Sequence, residues 1–211
     1  AVHSALMLDY IRTTCATIVD GTTVYPRIDR GSPPQGILLT GRPPFLTRGF
    51  CFDETPLTPG TFTAALSAAN LALEGARQIM TGTNQVYCLC RPPGHHAGSN
   101  FFGGFCYFNN AALAASELSK SGPTAILDID YHHGNGTQEI FYDRHDVLYS
   151  SVHAHPEYAY PGFSGYADET GSGAGLNCNF NYPLGPGSGD IDLLRVLGTA
   201  LDQIAIFDPA V

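Results

Sequence analysis

Asp128-Ile129-Asp130-Tyr131-His132-His133-Gly134-Asn135-Gly136-Thr137-Gln138-Glu139 directly follows the apolar run Thr124-Ala125-Ile126-Leu127. The run has the length and content of a buried strand. Side chains at i, i+2 and i+4 of an extended strand leave the same face. Asp128, Asp130 and His132 therefore converge where the strand runs out. Two carboxylates and an imidazole at one point suggest a divalent metal such as zinc. The glycines that follow let the backbone turn sharply beside it.

A second cluster, Arg91-Pro92-Pro93-Gly94-His95-His96-Ala97-Gly98, follows another uncharged run, Gln85-Val86-Tyr87-Cys88-Leu89-Cys90, read as a strand from Val86 to Cys90. Proline and glycine frame the tandem histidines, which predicts a rigid loop. Around these clusters the pattern alternates. Helices are expected over 61–80, 109–118, 138–142 and 190–207, and strands over 124–130, 147–152 and 177–182. A loop rich in Gly, Pro and Tyr joins the last two strands. Such alternation predicts an α/β fold with a central, mostly parallel sheet covered by helices. Ligands of such sheets bind outside the carboxyl ends of the strands, where both clusters sit.

At 211 residues, 44% hydrophobic and 14% charged, the chain can bury a sizeable core. It is read as a single domain over 1–211. Ala1 is not an initiator, and Phe207-Asp208-Pro209-Ala210-Val211 reads as the approach to a further strand, so the domain is expected to be truncated at both ends. No stretch reaches the ~18 apolar residues of a membrane helix. The net charge of −9 comes without any basic run, which argues against nucleic acid as a partner and suits a cationic one. Cys15, Cys51, Cys88, Cys90, Cys106 and Cys178 lack the paired spacing of a zinc ribbon. Cys88 and Cys90, on one face of a strand, read as buried thiols, and a reducing cytoplasm is expected. His3 and His145 show no partner in sequence and are expected at the surface; His153 and His155 are read as loop structure rather than ligands.

Four stretches taken in order resemble the histone deacetylase and acetylpolyamine amidohydrolase superfamily. They are Arg-Pro-Pro-Gly-His-His (91–96), Gly-Gly-Phe-Cys-Tyr-Phe-Asn-Asn (103–110), Asp-Ile-Asp-Tyr-His-His-Gly-Asn-Gly-Thr-Gln (128–138) and Ser-Val-His (151–153). The stretch Asp53-Glu54-Thr55-Pro56-Leu57-Thr58-Pro59-Gly60-Thr61, with Tyr166-Ala167-Asp168-Glu169, is most similar to the bacterial acetylpolyamine branch. The resemblance implies the three-layer arginase/deacetylase-like fold and zinc-dependent removal of acetyl groups from acetylated amines. It implies Asp130 and His132 as zinc ligands. Asp128, Ser151 and Val152, with the carbonyls of Asp130 and His132, would hold a structural K+ or Na+. His96 would be the general base and acid, oriented by Asn135. His95, held by Asp128, would tune its charge. Gly104 and Phe105 match one wall of a substrate channel; Tyr160 and Phe163 are both candidates for the other. The family's third zinc ligand, an Asp, and its oxyanion-stabilising Tyr fall beyond Val211.

The expected substrate is a small cationic acetylated amine such as an acetylpolyamine. A protein-lysine deacetylase with a wider entrance and a non-catalytic module binding acetylated amines are the alternatives. A guanidine hydrolase of the same fold would leave the tandem histidines without a role. Association into a homo-oligomer is left open.

Overall fold

The computed structural model describes residues 1–26, 50–53 and 55–211; Glu54, quoted above, lies outside them. Helix α1 spans Ala5–Thr17, α2 Thr61–Met80 and α3 Asn110–Leu118. Strand β1 (Thr124–Asp128) leads through α4 (Asn135–Phe141) to β2 (Val147–Ala154). A long loop with one 3-10 turn at Gly173–Gly175 then reaches β3 (Asn179–Leu184), and α5 (Asp190–Phe207) follows.

The described strands form an open sheet in the order β1-β2-β3, parallel throughout. Its register pairs Thr124 with Val147 and Asp128 with Ser151, then Tyr149 with Asn179 and Ala154 with Leu184. Seven of the eight residues of β2 are buried, as expected of a strand with neighbours on both edges. After α5 the chain returns along the other edge of β1. Ala210 N–H donates to the Pro123 carbonyl at 2.7 Å, and Ala125 N–H donates to that of Val211 at 2.9 Å. Parallel crossovers are right-handed. The step from β1 to β2 through α4 and the step back past β1 through α5 therefore cover opposite faces.

Helix boundaries follow local chemistry. Asn109 caps α3 by accepting from Ala112 N–H at 3.0 Å, and Asp190 and Asp192 lie in the first turn of α5, where the helix dipole favours anions. The extended segment 86–90 forms no ladder among the described residues. Its side chains nonetheless alternate as a strand's would: Tyr87 and Leu89 are exposed, while Val86, Cys88 and Cys90 are half-buried. Both cysteine sulfurs point at α2, at 3.5 Å from the Leu71 carbonyl and 3.4 Å from that of Ala68. Gly75 of α2 makes this approach feasible, because a Cβ there would lie 2.5 Å from the Cys88 sulfur. All six cysteines are free. Among the described residues no helix is long and apolar enough to cross a membrane.

Helix α1 lacks an advance signal in the alternating pattern, yet it is well specified. Ser4 caps it through Met7 N–H at 3.2 Å. Met7, Ile11 and Cys15, spaced four apart, enter a core with Leu57, Ala65, Phe102 and Phe108.

His3 corrects the expectation of a surface residue. It is buried, with Nδ1 2.8 Å from the Gly98 carbonyl and Nε2 accepting from Asn109 N–H at 2.9 Å. Only the neutral ring with its proton on Nδ1 satisfies both, since a carbonyl accepts and an amide donates. Burial lowers its pKa, against the raising effect of the Gly98 carbonyl. His133 and His153 are lowered too, chiefly by burial. Unfolding then releases histidines that take up protons more readily than the folded ones. Stability is full above the unfolded value of about 6.5 and falls as pH drops below it. Urea unfolding of the full-length protein should show this loss between pH 7.5 and 5.5. His3→Gln should flatten the slope and cost about 1–2 kcal/mol at pH 8.

Candidate active site

The carboxyl end of β1 delivers Asp128, and the first turn of α4 brings the histidine loop to it. N–H groups of Gly136 and Thr137 both donate to the His95 carbonyl, at 2.9 and 3.1 Å. A Cβ on Gly136 would lie 2.3 Å from the Ala97 backbone, so glycine permits this contact. Asn109 adds a second hold, its Nδ2 donating to the Ala97 carbonyl and to Thr137 Oγ1 at 2.9 and 3.0 Å. Glu139 grips the next turn through Ser99 N–H at 2.7 Å and Ser99 Oγ at 2.6 Å. The loop is fixed from three sides, as its proline and glycine content suggested.

The two imidazoles stand 4.1 Å apart between ring centroids. His95 Nδ1 lies 3.0 Å from Asp128 Oδ2, and His96 Nδ1 lies 2.7 Å from Asn135 Oδ1. Both partners are acceptors, so each ring carries its proton on Nδ1 and leaves Nε2 for the site. Asp128 also accepts from Tyr149 O–H at 3.0 Å and Asp130 N–H at 3.1 Å. Gly134 is the glycine this knot requires. A Cβ on it would fall 2.5 Å from both Asp128 Oδ2 and the Tyr149 oxygen.

The electrostatics divide the rings. Burial would lower His95, but the hydrogen bond and charge of Asp128, with the charge of Asp130, outweigh it and the net shift is upward. Burial would raise Asp128, yet His95, Asp130 N–H and Tyr149 hold its carboxyl below the usual range. His96 is pushed down to about 3 by burial first and then by the charge of His95, with Asn135 opposing.

Asp130 and His132 lie beside the pair. Asp130 Oδ1 is 3.5 Å from His132 Nδ1 and 3.9 Å from His95 Nε2, and the two side chains are 52% and 42% exposed. A carboxylate and an imidazole so placed, open to solvent, form a donor pair suited to zinc. Among the described residues no third His, Cys, Asp or Glu completes a group around them. They fit the ion as two ligands, where a catalytic site takes three from protein. In the adjoining corner Ser151 faces Asp128 across the register and Val152 follows it, both buried. Ser151 Oγ lies 2.8 Å from His153 Nδ1, and His153 Nε2 lies 2.9 Å from the Gly165 carbonyl.

Of the wall candidates, Gly104 lies against His96 so closely that a Cβ would fall 2.2 Å from its ring. Phe105, at φ 61°, presents its ring to solvent at 65% exposure. Tyr160 stands edge-on to His96 at 4.8 Å and to His132 at 5.9 Å. Phe163 is buried behind it, edge-on to Phe52. Two participants escaped the sequence reading. Tyr149 shares a pleat face with Ser151 and His153, so strand periodicity could have found it. Asp53 was quoted only as part of a resembling stretch, yet its Oδ2 accepts from Gly104 N–H at 2.6 Å and from Tyr160 O–H at 2.8 Å.

Known proteins share this arrangement of sequence and fold. The histone deacetylase domain matches residues 1–211. Acetylpolyamine amidohydrolase 2 of Pseudomonas aeruginosa is 51% identical over 161 residues, which is 75% of this chain and 47% of that protein. The acetylpolyamine amidohydrolase of Mycoplana ramosa is 51% identical over 156 residues, 73% of this chain and 46% of that one. The crystal structure of an acetylpolyamine aminohydrolase from Burkholderia pseudomallei superposes with a TM-score of 0.85 at 36% identity, covering 99% of this chain and 62% of that one. The chain thus spans about half the length of the curated relatives it matches. With the match running over residues 1–211, this chain belongs to the histone deacetylase domain family.

Proposed function

We propose that the full protein is an amidohydrolase that uses zinc to remove acetyl groups from small cationic acetylated amines. The observation that carries this reading is the pair of imidazoles, each with Nδ1 lodged on a side-chain oxygen, with His95 Nε2 3.9 Å from Asp130 Oδ1 and the His96 ring centred 6.0 Å from that of His132. The 51% identity to proteins named acetylpolyamine amidohydrolases favours acetylpolyamines over acetyl-lysine.

Asp130 and His132 would be the zinc ligands supplied by the chain described here. Zinc bound there supplies Lewis acidity toward the acetyl carbonyl and toward water. The other steps belong to side chains. His96, neutral and with a bare Nε2, takes a proton from the attacking water and returns one to the departing amine. Asn135 keeps its ring in that tautomer. His95, whose hold on a proton is strengthened by the carboxylate of Asp128, sits beside His96 and disfavours a second charge there. Gly104, Phe105 and Tyr160 confine the alkyl chain of the amine between them, with Phe163 packed behind. Asp128, Ser151 and Val152 would seat a K+ or Na+ under the strand ends.

His96→Ala in the full-length protein should reduce kcat by roughly 10²- to 10⁴-fold while zinc content stays at the wild-type level; loss of the metal together with activity would undo the assignment. Chelation should abolish turnover and added zinc should restore it. Acetylputrescine should be hydrolysed with a higher kcat/KM than an acetyl-lysine peptide, and the reverse order would make the protein a lysine deacetylase. Gly134→Ala should separate Asp128 from His95, lowering stability by roughly 1–3 kcal/mol through overpacking, as read from urea unfolding, with kcat falling alongside.

A further inference from the structure

Asp53 and Thr55 lie on a segment far in sequence from every catalytic motif, yet they reach both walls of the site. Asp53 Oδ2 accepts from Gly104 N–H at 2.6 Å on one wall and from Tyr160 O–H at 2.8 Å on the other. Its second oxygen accepts from Thr55 N–H at 2.8 Å. Thr55 Oγ1 in turn accepts from Phe105 N–H at 3.0 Å. Phe52 completes the segment from below, stacked on Tyr160 with centroids 5.9 Å apart and edge-on to Phe101 and Phe163.

This hold answers a specific difficulty. Gly104 and Phe105 both have positive φ, at 56° and 61°. A non-glycine residue there is strained and persists only where surroundings over-determine it. The two N–H groups of this turn are the ones that Asp53 and Thr55 bind. A carboxylate acceptor makes the Gly104 bond charge-assisted and so stronger than a neutral one. The turn cannot relax without releasing those bonds. Gly104 and Tyr160 both also pack against the His96 ring. One oxygen atom therefore ties together the two groups that lie against His96.

We infer that Asp53 is a positioning residue that clamps the two channel walls to each other, and that it acts through Gly104 and Tyr160 rather than on the substrate. The inference rests on the channel reading above, and the test separates the two. In the full-length protein, Asp53→Asn keeps the size of the side chain and removes its charge. Hydrogen–deuterium exchange is followed over 102–107 and 156–164. Turnover is measured with acetylputrescine and with N-pentylacetamide, its neutral counterpart of equal length. Exchange should rise several-fold in both segments, since the amide offers one neutral acceptor where the carboxylate offered two charged ones, and in either orientation its NH2 faces an N–H donor of the Gly104 or Thr55 backbone. The kcat/KM should fall by roughly 10- to 100-fold for both amides alike, with the larger share in kcat. Tyr160→Phe removes one oxygen from a packed ring and should give a smaller loss. Combining it with Asp53→Asn should add little to the latter, because the two changes break one connection.

Unchanged exchange in either segment would overturn the clamp. So would a loss confined to the cationic amide, which would make Asp53 a direct counter-charge for substrate. A Tyr160→Phe protein that matches wild type in both exchange and turnover would overturn it even if Asp53→Asn failed to fold. Coupled exchange in a protein that hydrolyses neither amide would uphold the clamp and refute the amidohydrolase reading.

Discussion

The carboxylate of Asp128 is the point from which the site hangs. It is an anion set among buried groups at the end of a strand, with 12% of its side chain exposed. Such a group is tolerated only when its oxygens are satisfied. Asp128 satisfies them with His95, Tyr149 and the Asp130 N–H. Each partner comes from a different stretch: the histidine loop, the neighbouring strand and the turn that leads to Asp130 and His132. One buried charge thereby fixes the relative placement of three segments. The usual argument that buried ion pairs add little net stability does not weaken this role, because the consequence is geometric.

Glycine makes that convergence sterically feasible. The knot around Asp128 needs Gly134, the seat of His95 and His96 on α4 needs Gly136, and the approach of the channel wall to His96 needs Gly104. A methyl group at any of these positions would occupy space held by backbone, a carboxylate or the His96 ring. The glycines of the 128–139 stretch thus read correctly as turn residues, but their larger contribution is close approach, which a sequence does not display.

Local periodicity carried most of the fold. The helices over Thr61–Met80 and Asp190–Phe207 have the bounds their pattern suggests, because both begin beside glycine and hold an apolar stripe long enough to dominate. Helix α4 begins three residues before the expected start, since its first turn is recruited to bind the His95 carbonyl. Segment 86–90 has a strand's alternation, but ladder bonds depend on neighbours that propensity cannot supply. Helix α1 and His3 were missed for a related reason: what fixes them is contact with Leu57, Gly98 and Asn109, up to 106 residues away. Among the site residues, adjacency in sequence pointed to His95 and His96, but the strand period carried only as far as Asp128, where β1 ends; Asp130 and His132 lie on the turn beyond it, Asp128 turns to His95 instead, and no group of three metal-holding side chains forms among the described residues. Asp53 meets Tyr160 across 107 positions, and no short-range pattern encodes that meeting.

The two histidines show how a fold can divide labour between identical side chains. His96 is buried and His95 half-buried, and burial alone would drive both toward the neutral form. The difference is the acceptor at Nδ1. A carboxylate favours the charged ring, so His95 is raised despite its burial. An amide oxygen orients a ring but adds no charge, so burial prevails at His96 and its neighbour's charge lowers it further. At 4.1 Å the rings cannot both be protonated at little cost. Charging the first therefore keeps the second neutral, and the second is the one flanked by Gly104 and Tyr160. Environments that push paired groups apart mark acid and base roles more reliably than residue type does. Here the separation follows from a single exchange of oxygen type, Asp128 behind one ring and Asn135 behind the other.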